Sequence, residues 1–398
     1  MTQVTADPAQ RPGPLPRRVK MSWLAAGLAA AGLLPFFASE YGDDKALLAV
    51  IGILLGTALY HGALGFTGAY RRLFVSGDVS GVVVQLVMLA IASALFAPVL
   101  AEGQAFGRTV SGAVAPVGVS MVLGAFVFGI GMQLGGGCGS GTLFTVGGGD
   151  TRMIVTLAFF CIGGFWGSLD LAWWRTLPEI PGVSLGQIWG YGPALAVQLA
   201  IFGGIYLVLQ RFARGASRPL WPAAGVSWRN LLHGPWPLVL AGAALAALNW
   251  GTLVTAGHPW SITWGFTLWG AKTAALVGWD PVSSGFWSSG FQARALTAPV
   301  LSDTTSVMDI GIIVGALVAA ATAGRMTPTL RIPPKHLLAS VVGGLMLGYG
   351  ARLAYGCNIG AFFSGVASTS LHGWVWILAA LPGNWLGVKL RPYFGLSV

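Results

Sequence analysis

Two cysteines carry the strongest chemical signal in this sequence. Cys138 lies in Gly129-Ile-Gly131-Met-Gln133-Leu134-Gly-Gly-Gly137-Cys138-Gly139-Ser-Gly141, and Cys357 lies in Gly348-Tyr-Gly350-Ala-Arg352-Leu353-Ala-Tyr-Gly356-Cys357-Asn358-Ile-Gly360. Both stretches read GxGxxLxxGCxxG, with six matched positions at the constant offset of 219 that separates Cys138 from Cys357. Gly164 and Trp166 keep that offset to Gly383 and Trp385. The third cysteine, Cys161, falls in a continuous apolar run, and Ala380 stands where its mate would be. Helix packing is its expected role, since cysteine behaves as a small buried apolar residue.

Glycine at the density of Gly137, Gly139, Gly141, Gly356 and Gly360 does not hold a helix in register. At membrane depth, irregular backbone is tolerated only where protein buries it or it lines a cavity. Each break therefore presents backbone N–H groups, and a helix N-terminus beside it suits an anion. Each break also presents one thiol, a soft and weak donor that matches a ligand containing sulfur or selenium. The plain alternative is that these glycines pack helices and the cysteines fill space. Pairing at one offset favours a site, and Asn358 beside Cys357 belongs to it.

Charges inside apolar runs are costly and mark function or a structural pair. Arg352 precedes Cys357 by the same interval as Gln133 precedes Cys138. Arg352 is expected to meet an anionic substrate, a carbonyl or an ion-pair partner. Lys272, in Trp269-Gly-Ala-Lys272, either faces the pathway or reaches to the interface. The five histidines, His61, His233, His258, His336 and His372, form no metal-binding spacing.

The elements that must position these residues are membrane helices. The chain has 398 residues, 55% hydrophobic and 9% charged, with mean hydropathy +0.73. A soluble domain has roughly 25% charged residues. Apolar runs at 21–38, 46–66, 82–100, 113–134, 153–172, 194–210, 236–256, 261–278, 307–323, 337–356 and 372–388 mostly have the length of a bilayer core. The 60 glycines suit close helix packing and the 17 tryptophans suit the interface. The net charge of +10 resides in short loops between the runs, the pattern of a topology signal and not of a nucleic-acid surface. Three cysteines give no disulfide framework, and there is no CxxC.

Residues 1–20 read as a disordered cytoplasmic tail, followed by a first membrane half over 21–210, a basic cytoplasmic loop over 211–235 and a second half over 236–398. The run 21–38 is expected to be retained as a helix and not cleaved as a signal peptide. Basic loops inside and acidic loops outside bring run 113–134 in from the outside and run 337–356 in from the cytoplasm. The two motifs then form an inverted repeat, which many transporters use to place a site near the midplane. The same charge assignment requires one incomplete run, and 261–278, broken by Gly265 and Gly270, is the first candidate. The expected fold is an all-α integral membrane protein: a polytopic helical bundle of inverted repeats, with Gly-rich re-entrant or broken helices carrying one Cys each.

The motifs GGGCGSG and GCNIG resemble those of the YeeE/YedE family of bacterial inner-membrane sulfur transporters. The stretch Gly62-Ala-Leu-Gly65-Phe66-Thr67-Gly-Ala-Tyr-Arg71 resembles the family's first re-entrant element. Pro259-Trp260-Ser-Ile-Thr-Trp-Gly265 with Leu268-Trp269-Gly270-Ala-Lys272 resembles its counterpart, and Pro382-Gly383-Asn384-Trp385 the closing helix. The resemblance covers about residues 46–390. It implies pseudo-twofold inverted halves and uptake of thiosulfate or a related sulfur compound past conserved thiols, which Cys138 and Cys357 match. It also implies a small cytoplasmic sulfur-carrier protein as partner. Members that move thiosulfate usually carry a further Cys in the first element before a Phe; here Gly65 stands there, before Phe66. This leaves two central thiols and keeps other sulfur or selenium species open.

The sequence thus predicts a multi-pass transporter of a small sulfur-containing anion in the bacterial inner membrane, N-terminus cytoplasmic, surrounded by lipid. No cofactor, metal, catalytic residue or nucleic-acid partner is expected. The alternatives are a selenium-compound transporter and a membrane thiol redox enzyme working through Cys138 and Cys357. The absence of CxxC and of any soluble catalytic domain disfavours the enzyme.

Overall fold

The computed structural model describes residues 17–32, 34–214, 218–221, 227–326, 328 and 331–398. Residues 1–16 of the expected tail and part of the expected loop 211–235 lie outside the described residues. The chain opens with α1 (Arg17–Gly32) and α2 (Leu34–Tyr41), so helix begins inside the stretch expected as tail. The first half continues as α3 (Asp43–Gly62), α4 (Phe66–Ser76), α5 (Ser80–Glu102), α6 (Val119–Gly135), α7 (Gly139–Gly147) and α8 (Thr151–Leu169). Short α9 (Leu171–Trp174) and α10 (Leu185–Trp189), long α11 (Tyr191–Phe212) and short α12 (Trp228–His233) lead to the second half. That half contains α13 (Leu238–Ala256), α14 (Thr263–Leu276), α15 (Gly290–Thr297), α16 (Thr304–Ala323) and α17 (Pro334–Leu353). It closes with a π-helical turn Asn358–Phe363, α18 (Ser364–Ala367) and α19 (Leu371–Leu390). Among the described residues, nine helical segments are long and apolar enough to span a bilayer, and the strands are two pairs of two residues each. This is the expected all-α, polytopic membrane fold.

The two motif helices run antiparallel against each other. Gly124 in α6 faces Gly350 and Leu353 of α17, whereas Gly135 faces Gly343, where a Cβ would fall 2.2 Å from the Gly135 nitrogen. The helices therefore carry their cysteines in from opposite ends. The rest of the packing repeats the same relation. α8 lies on α17 as α19 lies on α6, and α16 lies on α3 as α5 lies on α13. Repeat mates make matching contacts: a Cβ on Gly348 would come 2.2 Å from the Phe160 carbonyl oxygen, and one on Gly129 would come 2.3 Å from that of Ala380. Glycine sits there because backbone meets backbone, the arrangement that small residues permit between helices in lipid.

The α3–α16 interface is the tightest of these. Gly52 and Gly56 on α3 face Met308 and Ile312, while Gly311 and Gly315 on α16 face Ala49 and Ile53. A Cβ on Gly315 would lie 1.9 Å from the Ile53 carbonyl oxygen.

The expected incomplete run 261–278 is α14, whose 14 residues reach roughly 21 Å at the helical rise, short of the roughly 30 Å core. Its counterpart α4 has 11 residues. The sequence reading ran α3 on through residue 66. The structure instead ends it at Gly62, turns at Ala63-Leu64-Gly65 and starts α4 at Phe66. Each half thus consists of a long helix, a turn, a short helix, another long helix and then a broken helix bearing the cysteine.

Candidate functional site

The breaks form where the glycines stand. α6 stops at Gly135, Gly136 takes φ +94, and Cys138 becomes the residue that starts α7. α17 stops at Leu353, Gly356 takes φ +146, and Cys357 starts the π-helical turn. Positive φ at these positions is the conformation glycine reaches without steric cost. The two breaks share their internal geometry: a Cβ on Gly137 would fall 2.9 Å from the Thr142 nitrogen, and one on its mate Gly356 would fall 2.9 Å from the Ala361 nitrogen.

The two cysteines converge. Cys138 is 1% and Cys357 0% exposed. A Cβ on Gly139 would stand 3.0 Å from Cys357 Sγ and 3.2 Å from Ile262 Cγ2. Cys138 Sγ lies 3.4 Å from Ser140 Oγ, and the Ile359 N–H donates to Cys357 Sγ at 3.4 Å. Both thiols are free. Each sits at a helix start, where unpaired N–H groups and the helix dipole favour an anion. Asn358 Nδ2 donates to the Tyr70 hydroxyl at 3.5 Å, bringing α4 to the same point. Tyr70 is 2% exposed, and sequence reasoning did not single it out. Its signal was present: it lies one residue before Arg71 in the first re-entrant stretch.

A cavity of about 180 Å³ is lined by Gly65, Thr67, Gly68, Arg71, Arg72, Gly136, Gly137 and Gly141 among others. It reaches the first break at Gly141, where a Cβ would be 3.6 Å from Cys138 Sγ. Gly65 has φ −98 and ψ 124, and a Cβ on it would meet only Phe144 Cζ, at 3.9 Å. A side chain at position 65 would therefore project into free space beside the path. Arg72 pairs with Asp78 at 3.3 Å, and Arg218 lies 3.6 Å from the same carboxylate. Burial alone would push the Asp78 carboxyl up, but Ser80's hydrogen bonds and these two arginines hold it below the usual carboxylate range. Arg71 has no ion-pair partner among the described residues, which leaves a cation facing the cavity. The sequence reading had placed Arg71 at the end of the first re-entrant stretch and among the basic loop residues, without giving it a role in the site.

Arg152 Nη2 donates to the Leu134 carbonyl at 2.6 Å and Arg391 Nη1 to that of Gln133 at 2.5 Å, capping the C-terminal end of α6. Arg71 and Arg152 each lie within electrostatic reach of Arg391, so this end is basic. At the other end of the pair, Tyr349 donates to Asp170 Oδ2 at 2.9 Å and Tyr355 to Glu179 Oε2 at 3.3 Å. There Tyr355 and Gly360 remain partly exposed, as does Ser261, whose Oγ would lie 3.4 Å from a Cβ on Gly360.

The repeat mates Gln133 and Arg352 have different surroundings. Gln133 Nε2 donates to the Thr67 carbonyl at 3.1 Å and to Asn384 Oδ1 at 2.9 Å, tying α6 to α4 and α19. Arg352 stacks on Phe286 at 4.8 Å, and its Nε is buried without a hydrogen-bond partner. Lys272 Nζ donates to the carbonyls of Leu296 and Ala298 at 2.7 and 2.6 Å, so its ammonium is tied to the loop after α15 and not to the thiols. Cys161 is half-buried in α8, its carbonyl pressed against Gly270. Cys161→Ala is expected to leave uptake at the level of the unmodified protein. Loss of uptake in a folded, inserted variant would reject one working thiol per repeat.

Comparison with known proteins supplies the class of cargo. A family described as sulphur transport matches residues 61–386. The chain is 29% identical over 356 residues to the thiosulfate transporter TsuA of Spirochaeta thermophila, covering 84% of this chain and 96% of that one. It is 24% identical to the thiosulfate transporter TsuA of Escherichia coli, over 86% of this chain and 94% of that one. The match to the probable transporter YedE of Escherichia coli is 32% identical but spans 44% of each chain, less than half of that relative's length.

Proposed function

The chain belongs to the sulphur transport family, and on that premise we propose that it carries thiosulfate, or a closely related sulfur anion, along the line of Cys138 and Cys357. The observation that carries this reading is the meeting of the two broken helices: Cys357 Sγ stands 3.0 Å from the Cβ position of Gly139, next to Cys138. The cavity with unpaired Arg71 draws the anion on past the thiols toward the basic end. Backbone N–H groups at the starts of α7 and the π-helical turn replace its lost hydration. The thiols meet its soft sulfur without holding it, as conduction through successive weak sites requires. Gly137, Gly139, Gly141, Gly356, Asn358 and Gly360 shape this passage. Gly65, with its open side-chain space, marks the inner mouth.

The reading includes a bacterial inner membrane, with the N-terminus and the basic end in the cytoplasm, where a small sulfur-carrier protein would receive the cargo. It is a carrier and not an enzyme: the thiols pass the anion on and keep no adduct.

The test is uptake of labelled thiosulfate by the purified protein in vesicles, combined with Gly65→Cys. The variant is expected to fold, and its new thiol to be labelled by a membrane-impermeant reagent from the basic side alone, with thiosulfate slowing the labelling. Absent uptake by the unmodified protein, or labelling that thiosulfate never affects, would overturn the pathway.

A further inference from the structure

Asp309 is a charged side chain for which the passage described above has no use. It lies in α16 with 0% exposure, and neither carboxylate oxygen has a hydrogen-bond partner. Among the described residues no ion pair reaches it. An unpaired carboxylate is costly at membrane depth and a neutral acid far less so, and an intramembrane ionisable group of this kind marks a proton or ion route. The fold makes room for it: a Cβ on Gly265, in the first turn of α14, would lie 2.6 Å from Asp309 Oδ2. From there the contacts lead to the thiols. The Gly265 N–H donates to the Ile262 carbonyl at 3.0 Å, and Ile262 Cγ2 and Cys357 Sγ flank the Cβ position of Gly139 at 3.2 and 3.0 Å.

We propose that Asp309 is a proton-binding site that couples inward movement of the anion to inward movement of a proton. The proposal rests on the transport reading above and supplies part of its driving force, offsetting one of thiosulfate's two charges. An anion entering a cell that is negative inside is opposed by about 2.3 kcal/mol per charge per 100 mV. A proton carried in with it cancels one charge. The carboxylate takes a proton from the outer solution and gives it to water on the inner side, and no bond to sulfur forms. With the proton gone, the bare carboxylate repels a second anion beside Cys357 until it is protonated again. Asp303 stands six residues earlier on the same helix, roughly 9 Å away along the axis, where it accepts from Trp264 Nε1 and the Ser306 N–H. It marks the outer end of the proton's route.

The other ionisable groups around α16 are few. Asp303 and the thiols of Cys161 and Cys357 interact electrostatically with Asp309. α3 contributes Lys45, which donates to Thr304 Oγ1, with Asp43 and Asp44 beside it and His61 at its far end. α7 contributes none, and α14 contributes Lys272, already bound to carbonyls. α12 brings Arg229 and His233 to the basic end, where Arg325 follows α16 within electrostatic reach of Tyr60 and His61 of α3.

The test uses purified protein in vesicles carrying an internal pH indicator. Thiosulfate added outside is expected to acidify the lumen, and an inward proton gradient to accelerate uptake. D309N is expected to exchange labelled thiosulfate at the unmodified rate while losing both the acidification and the acceleration, and D309E to keep them. Acidification by folded D309N, thiosulfate uptake by the unmodified protein without acidification, or loss of exchange in folded D309N would each overturn the coupling. Absence of exchange in the unmodified protein would instead sink the transport reading itself. If D309N does not fold, the unmodified protein still decides: dicyclohexylcarbodiimide, which attacks protonated carboxyls in apolar surroundings, should add to Asp309 by mass spectrometry and abolish acidification. No adduct there would reject the proposal.

Discussion

Cys357→Ala and Cys138→Ala are each expected to slow thiosulfate uptake by roughly tenfold to 100-fold, the effect of losing one hydrogen bond to a charged group, about 1.5–3 kcal/mol. An anion entering a dry constriction sheds water, and each lost hydrogen bond must be remade or its cost remains. Glycine N–H groups at the two breaks can serve the oxygens. The terminal sulfur is softer, and the buried thiols of Cys138 and Cys357 are the soft donors beside Gly139. Serine keeps a donor but is harder and shorter, so Cys→Ser should recover part of the loss. Uptake into vesicles, with size-exclusion behaviour as the check on folding, measures this. Near-normal uptake by the double alanine variant would return both cysteines to packing. Equal inactivity of serine and alanine, with a sulfur adduct on the unmodified protein by mass spectrometry, would replace the hydrogen-bond account by a covalent one.

The largest loss of stability is expected from Gly315→Ala. The added Cβ would stand 1.9 Å from the Ile53 carbonyl oxygen and 2.7 Å from its carbon, both backbone atoms of α3. A side chain can rotate out of such a clash; a helix backbone cannot, so α3 and α16 must separate. Their separation would also open the contacts of Gly52, Gly56 and Gly311. The cost should reach or pass the top of the roughly 1–3 kcal/mol that overpacking usually takes. Thermal unfolding in detergent measures it, with Gly204→Ala as control. Gly204 lies in α11 with nothing within 4 Å of its Cβ position, and alanine there should leave stability unchanged or raise it by roughly 0.5–1 kcal/mol. Similar unfolding temperatures for the two variants would refute the close-packed interface.

What was legible in the sequence follows from what each residue advertises locally. Cys138 and Cys357 could be paired because glycine spacing is a backbone constraint, written in the chain wherever a helix must break. The antiparallel approach of their helices was readable from loop charge, and α14 was readable as short because Gly265 and Gly270 interrupt it. Asp309 was passed over because it stands within an otherwise apolar run, and its lack of partners is a property of the helices packed against it, such as α14, not of α16 itself. Tyr70 and Arg71 stood in the stretch read as re-entrant, but nothing in the chain says which of its side chains turn inward; the turn at Ala63-Leu64-Gly65 carries these two back toward Cys138. Gln133 and Arg352 occupy one repeat position, yet Gln133 meets Asn384, whose repeat mate is Phe165, and Arg352 meets Phe286 in the loop between α14 and α15. Symmetry in sequence predicts where a side chain starts and leaves open what it meets.

The antiparallel pairing of α6 with α17 bears on thermodynamic direction. The backbones of the two breaks meet an anion in nearly the same order from either side, so the breaks themselves contain no rectifier. Direction then falls to what the repeat does not match: the arginines at one end, Asp170 and Glu179 at the other, and the proposed proton site at Asp309.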